Sequence, residues 1–278
     1  MTEAVRIVKM SGAGNDFVVL GPDEAARLGN TLPSWSRGVC RRGLSVGADG
    51  VLVVRPTGSG RVEVTFLNPD GSVAFCGNGA RCAARFAHRH RMADARMVLE
   101  TAVGDVPAEV TGERVRIVMP PPEDLGPVRL ELGGQILDGR RIAAGVPHFV
   151  VFVPDPGQAP IEEWGPAVRR HPTFGPEGTN LDVATEGPGP ILVIRTWERG
   201  VEGETLACGT GAVAAAMARR LAGGETPIPV LPASGVGLTV DLPGPADRPD
   251  AAILEGDARW ILEGTVEPEA VSDEMVDR

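Results

Sequence analysis

Short runs of the chain alternate hydrophobic and polar positions with a period of two. VRIVKM (5–10), DFVVL (16–20), GVLVVRP (50–56) and VEVTFLN (62–68) are rich in β-branched residues and predict strands. The pattern then changes. CGNGARCAARFAHRHR (76–91) places helix-forming alanine and arginine directly after a glycine turn, which predicts a helix. The order recurs further on: HFVVFV (148–153) and ILVIRTW (191–197) read as strands, and CGTGAVAAAMARRLAGG (208–224) reads as a helix stopped by Gly223 and Gly224. Small alanine side chains suit a helix that a sheet wraps closely. The predicted class is α/β of the α+β type, in two pseudo-symmetric halves, each a curved mixed sheet around one central helix.

Two islands of identity support the duplication. Cys76 and the glycines after it fall on Cys208 and its glycines at an offset of 132 residues, and Phe17-Val18-Val19 falls on Phe149-Val150-Val151 at the same offset. The stretch MPPPEDLGP (119–127) is proline-rich, so it is expected to continue neither strand nor helix and to link the halves.

Composition narrows the functional classes. At 278 residues the chain can bury two cores, and no apolar run reaches the length of a membrane span. A formal net charge of -10, without a basic cluster interleaved with aromatics, argues against nucleic acid and anionic membranes as partners. The N-terminal stretch has no secretion pattern, so the expected location is cytoplasmic. Four cysteines are too few for a disulfide framework and are expected to be thiols. Lys9 is the only lysine.

The chemistry sits where each helix begins. The first N–H groups of a helix have no intrahelical partner, and the dipole adds about half a positive charge there. Gly77 and Gly79, and Gly209 and Gly211, let backbone approach an anionic ligand. The same dipole is expected to lower the thiol pKa of Cys76 and Cys208 toward neutrality. Two such motifs suit inversion of a stereocentre, in which one base takes a Cα proton from one face and an acid returns a proton to the other. Racemases that use pyridoxal phosphate need a lysine, and Lys9 has no phosphate-binding context around it, so no cofactor is expected.

Together SGAGNDF (11–17), GADG (47–50), NPDGSVAFCGNGARC (68–82), GVPH (145–148), GTN (178–180) and ERGVEGETLACGTG (198–211) resemble the ordered signature of the diaminopimelate epimerases over almost the whole chain. The resemblance implies the diaminopimelate epimerase-like fold, with the last strand returning to the first half. The halves are then residues 1–119 plus 264–278, carrying Cys76, and residues 120–263, carrying Cys208. It implies interconversion of LL- and meso-diaminopimelate in lysine and cell-wall synthesis, without pyridoxal phosphate, by a homodimer. Cys76 and Cys208 become the acid/base pair, and His148 and Glu198 tune the thiols. Gly77, Asn78, Gly209 and Thr210 hold the reacting carboxylate through their N–H groups, while Asn15, Asn68, Asn180, Glu198 and Arg199 grip the substrate. Gly50 and Val146 depart from the family pattern, which has glutamine at the first position in some members and asparagine at the second in many, and Asn68 precedes Cys76 by eight residues rather than nine.

Plainer readings compete at other positions. Cys40 and Cys82 read as small core residues. Cys76, Cys82, His88 and His90 do not have the spacing of a zinc site, so no metal is expected. Arg199 beside Glu198 reads equally well as a surface ion pair. The nearest functional rivals are the same chemistry on another amino acid, as in proline racemases, and a binding module that kept the carboxylate cradle without turnover.

Overall fold

The computed structural model describes residues 3–272 and divides the chain into two compact units, one formed by residues up to Ile117 together with those from Asp257 onward, the other by Val118–Gly256. The return to the first unit comes at Asp257, ahead of the expected residue 264. Arg259–Val266 forms one strand whose whole length pairs with Val5–Gly12, and a boundary at 264 would cut that ladder. Residues 1–2 and 273–278, which the expected first half includes, lie outside the described residues.

In the first unit the strands are β1 (Val5–Gly12), β2 (Asn15–Leu20), β3 (Gly50–Gly58), β4 (Arg61–Leu67), β5 (Val73–Ala74), β6 (Arg96–Thr101), β7 (Gly104–Thr111), β8 (Arg114–Met119) and β18 (Arg259–Val266). The spatial order is β18-β1-β2-β3-β4-β6-β7-β8, with β2–β3 and β4–β6 parallel and the remaining neighbours antiparallel. The two-residue strand β5 adds to β4. Helix α3 (Gly77–Arg89) packs against β1, β2, β3, β4, β6 and β7, so the sheet curves around it. Ten residues of α3 are buried, four of them alanine. Nearly all-round burial is possible because a methyl side chain lets the strands come close on every side.

Helices α1 (Pro22–Leu28) and α2 (Leu32–Val39) cover the other face, where Ala25, Leu28, Trp35 and Val39 pack on Val18, Leu20, Val51 and Val53. This explains β3, whose first five residues are buried without alternation: both of its faces are covered. Gly50 begins this strand because a Cβ there would lie 2.3 Å from the Phe66 ring and 2.6 Å from the Leu67 carbonyl oxygen, leaving no room for the family's glutamine.

The second unit repeats the plan with β9 (Glu123–Leu132), β10 (Gln135–Ala143), β11 (Pro147–Phe152), β12 (Asn180–Glu186), β13 (Leu192–Glu198), β14 (Gly203–Thr205), β15 (Ile228–Leu231), β16 (Leu238–Asp241) and β17 (Ala252–Asp257). Here the order is β9-β10-β11-β12-β13-β15-β16-β17, with β11–β12 and β13–β15 parallel and the short β14 added to β13. The sequence of parallel and antiparallel neighbours is the same in both units. Helix α5 (Gly209–Leu221) packs against β10, β11, β12, β13, β15 and β16, and α4 (Ile161–Arg169) covers β12 and β13 from outside. Strands β2 and β11, and helices α3 and α5, lie 132 residues apart from first residue to last.

The proline-rich stretch behaves differently from expectation. Only Pro120–Pro122 connect elements, because strand β9 begins at Glu123 and runs through Pro127. Pro127 pairs with Arg140 on an edge strand, where a missing N–H costs no inner ladder bond, and a register shift next to it absorbs an extra residue.

Candidate active site

Cys76 and Cys208 occupy equivalent positions, each the N-cap of its unit's central helix. Cys76 has extended backbone (φ −137°, ψ 116°), and its sulfur accepts the Gly79 N–H at 3.5 Å; Cys208 (φ −114°, ψ 115°) accepts the Gly211 N–H at 3.4 Å. A thiol here does what a serine hydroxyl does in ordinary capping. The capped N–H belongs to the third helical residue, and Gly77 and Asn78, or Gly209 and Thr210, are the two residues before it. Their N–H groups precede the i−4 ladder and point out of the helix end.

In the second unit a chain of buried polar groups reaches Cys208. Thr210 Oγ1 lies 3.3 Å from the sulfur and 3.0 Å from His148 Nε2, and His148 Nδ1 lies 2.7 Å from Asp182 Oδ2. The other Asp182 oxygen accepts from Thr196 Oγ1 at 2.7 Å. His148 is 1% exposed and Asp182 0%. A carboxylate on Nδ1 selects the tautomer with its proton there, which leaves Nε2 to accept from Thr210. Gly211 makes the approach possible, since a Cβ on it would lie 2.4 Å from Asp182 Oδ1.

Asn180 is buried and its side chain is committed to the protein. Its Oδ1 accepts the Arg199 N–H at 2.7 Å, and its Nδ2 lies 3.3 Å from His148 Nε2. Glu198 ends β13; burial pushes its carboxyl above the ordinary range, against hydrogen bonds with Cys208 and Thr205. Arg199 pairs with Glu177 at 3.4 Å, its guanidinium also donating to the Glu177 carbonyl, rather than with its neighbour Glu198.

The Cys208 thiol differs from expectation. Its pKa is raised well above the ordinary thiol value, first by burial and then by the charges of Glu198 and Asp182. Helix N-terminal stabilisation is real but smaller than the cost of ionising a buried sulfur among carboxylates.

In the first unit Asn78 Nδ2 donates to Asn15 Oδ1 at 2.5 Å, and Asn15 Nδ2 donates to Asp49 Oδ2 at 3.1 Å. Asp49 also takes the Asp16 N–H at 3.0 Å and pairs with Arg42 at 2.7 Å. Asp16 binds Arg42 and, at 2.6 Å, the buried Lys9, whose Nζ also donates to the Gly47 carbonyl. The unique lysine is thus the anchor of the network that aims Asn15 and Asn78. Asn68 is placed apart from this network, in a turn where its Nδ2 donates to Ser72 Oγ at 3.0 Å. Cys40 and Cys82 are buried, at 6% and 0% exposure, and burial pushes the Cys40 thiol up to about 11.

Asp182, Asp49 and Thr196 were not singled out from the sequence. The parallel ladder pairs His148 with Asn180, and Asp182 lies two residues further along the same strand, on the same face. The NLDV run carried that alternation, but not the strand beside it.

A family profile for diaminopimelate epimerase matches residues 7–124 and 141–241. The chain belongs to the diaminopimelate epimerase family. It is 37% identical to the diaminopimelate epimerase of Aquifex aeolicus over 95% of this chain and 98% of that one, and 37% identical to that of Archaeoglobus fulgidus over 94% and 95%. The fold is shared more widely: a hydroxyproline epimerase from Agrobacterium vitis superposes with a TM-score of 0.72 at 16% identity (96% and 93% coverage). A PhzF-family phenazine biosynthesis protein from Bacillus anthracis gives 0.74 at 13% identity (95% and 99%). Among the described residues no group of three or more His, Cys, Asp or Glu side chains could hold a metal ion, and no helix is long and apolar enough to cross a membrane.

Proposed function

We propose that the protein interconverts LL- and meso-diaminopimelate, without a cofactor, by exchanging the Cα proton between Cys76 and Cys208. The observation carrying this reading is the duplicated cap: in a member of this family, two cysteines each close the N-terminus of a central helix with their sulfur on the third N–H. One thiolate removes the Cα proton while the other thiol protonates the opposite face, so each turnover leaves the thiol and the thiolate exchanged. The N–H groups of Gly77, Asn78, Gly209 and Thr210 hold the reacting carboxylate and take up the charge that develops on it. At Cys208, whether it acts as acid or as base, Thr210, His148 and Asp182 orient the proton it gives or takes.

Burial first, then the carboxylates of Glu198 and Asp182, keep the Cys208 thiol protonated. Arg199 forks onto the distal carboxylate, with Asn15 and Asn68 completing the grip and Asn180, bonded to the Arg199 N–H and to His148, holding Arg199 in place. The reading includes a cytoplasmic homodimer that binds no nucleic acid or membrane. Incubation of LL-diaminopimelate in D₂O tests it: deuterium should enter Cα with formation of the meso isomer, and Cys76→Ser and Cys208→Ser should each abolish epimerisation. Epimerisation retained in either variant, or exchange into proline or hydroxyproline instead, would reject it.

A further inference from the structure

Helix α3 carries a charge that the chemistry above does not use. Arg81 is 0% exposed, its Nε donates to the Asp257 carbonyl at 3.3 Å, and neither Nη1 nor Nη2 has a hydrogen-bond partner among the described residues. A guanidinium remains charged in proteins, so burying one with idle donors is costly unless an anion completes it. Side chains on a helix lean toward its N-terminus. An ideal Cβ on Gly12 would lie 2.8 Å from the Asn78 carbonyl oxygen, 3.3 Å from Cys82 Sγ and 3.5 Å from Arg81 Nη2, so the guanidinium lies beside Cys82 and the first turn of α3, where both Cys82 and Cys76 act on it.

The other charged groups around Arg81 are Cys82 and Arg85 on α3, Asp257 ahead of β18, and Arg114 on β8. Asp257 is engaged elsewhere, accepting from the Ala13 N–H at 2.8 Å and from Arg259 at 2.5 Å. Arg85 donates to the Ala258 carbonyl and pairs with Glu113. Burial holds Cys82 as a neutral thiol. On β1 and β2, Lys9 and Asp16 are closed into their own cluster with Arg42. The position matching Arg81 in the second unit is Val213, buried at 1%, and the charges bearing on Cys208 are the carboxylates of Glu198 and Asp182. One copy of the motif has acquired a cation and the other anions.

We propose that Arg81 is a positioning residue for Cys76, its buried guanidinium balancing the negative charge left on the sulfur when the thiol gives up its proton. Arg81 touches neither substrate nor reacting carbon and acts through the sulfur. The proposal rests on reading Cys76 as an acid/base residue. Failure of that reading appears as epimerisation surviving in Cys76→Ser, whereas failure of this one appears only in the titration of the Cys76 thiol.

The test is the pH dependence of iodoacetamide alkylation at Cys76, read by peptide mapping of the folded protein. In the parent the midpoint should lie below the value of about 8.5 for a free thiol. Arg81→Met should raise it by about one unit, slowing alkylation at pH 7 about tenfold, and Arg81→Lys should recover most of the loss. The Cys208 profile should not move. A parent midpoint at or above that of a free thiol, an unmoved midpoint in folded Arg81→Met, or equal shifts at Cys76 and Cys208 would each overturn the proposal. Should Arg81→Met not fold, Arg81→Gln, which keeps a donor for the Asp257 carbonyl, takes its place, and a parent midpoint at or above that of a free thiol overturns the proposal without either variant.

Discussion

Replacing Asp182 by asparagine changes one atom type at the buried end of the Cys208 network. In the parent, one carboxylate oxygen takes the Thr196 hydroxyl at 2.7 Å and the other takes His148 Nδ1–H at 2.7 Å. The amide keeps its oxygen for Thr196 and must then point its NH₂ at Nδ1, which has to lose its proton and accept. The ring proton moves to Nε2, where it faces Thr210 Oγ1 at 3.0 Å and the Asn180 amide nitrogen at 3.3 Å, itself a donor. Loss of a hydrogen bond to a buried charged group costs about 1.5–3 kcal/mol of stability. For a unit of this size that lowers Tm by about 5–10 °C. The larger effect is on turnover: with Nε2 now a donor, the Thr210 hydroxyl accepts from it and turns its own proton toward Cys208, so it can no longer accept from the thiol, and kcat should fall by about 10²–10⁴. KM should change by less than about threefold, because no group assigned to the substrate is altered. Coupled epimerase kinetics and ¹⁵N shifts of the His148 ring measure the two halves of the argument. Asp182→Asn with the tautomer reversed but kcat within about threefold of the parent would show that the histidine network does not serve the chemistry.

Glu198→Gln should lose activity yet gain stability at neutral pH. Burial raises the folded carboxyl above its ordinary value of 4.5, so its stabilising contribution is complete below that value and disappears as pH rises through the raised one, each unit of displacement being worth about 1.4 kcal/mol. Urea unfolding should find the variant more stable than the parent at pH 7 and equal to it near pH 4; equal differences at both would refute the assignment. Lys9→Met should cost about 3 kcal/mol at pH 7, because it leaves the largely buried Asp16 with Arg42 alone. Burial opposes ionisation of Asp16, but its bonds to Arg42 and Lys9 prevail and hold its carboxyl below 3.8, so this stability is present above that value and fades as pH falls. Denaturant titrations should show the Lys9→Met deficit shrinking toward pH 2; a deficit below about 1 kcal/mol at pH 7 would mean that the pair does not anchor Asn15 and Asn78.

Periodicity alone placed the first four strands, the two central helices and the 132-residue repeat, because each depends on residues adjacent in sequence: alternating β-branched residues, an alanine run, a glycine turn. It also placed the two cysteines at helix N-termini, since an N-cap is a local structure. Helices α1, α2 and α4 were not read. Their apolar faces are short, α4 carries Pro166 inside it, and each helix is held by the sheet face it covers rather than by its own turns. The same reason explains Pro127, which sits in a strand because the neighbouring strand supplies the ladder. Most of the electrostatics lay beyond the sequence. Asp182 meets His148 only because β11 and β12 run parallel, and Arg81 and Val213 look equally unremarkable in an alanine-rich helix. Whether a charge two strands away stabilises or opposes a thiolate depends on distance and dielectric, which only the folded chain sets: burial and carboxylates keep Cys208 protonated, against the dipole that the sequence could see.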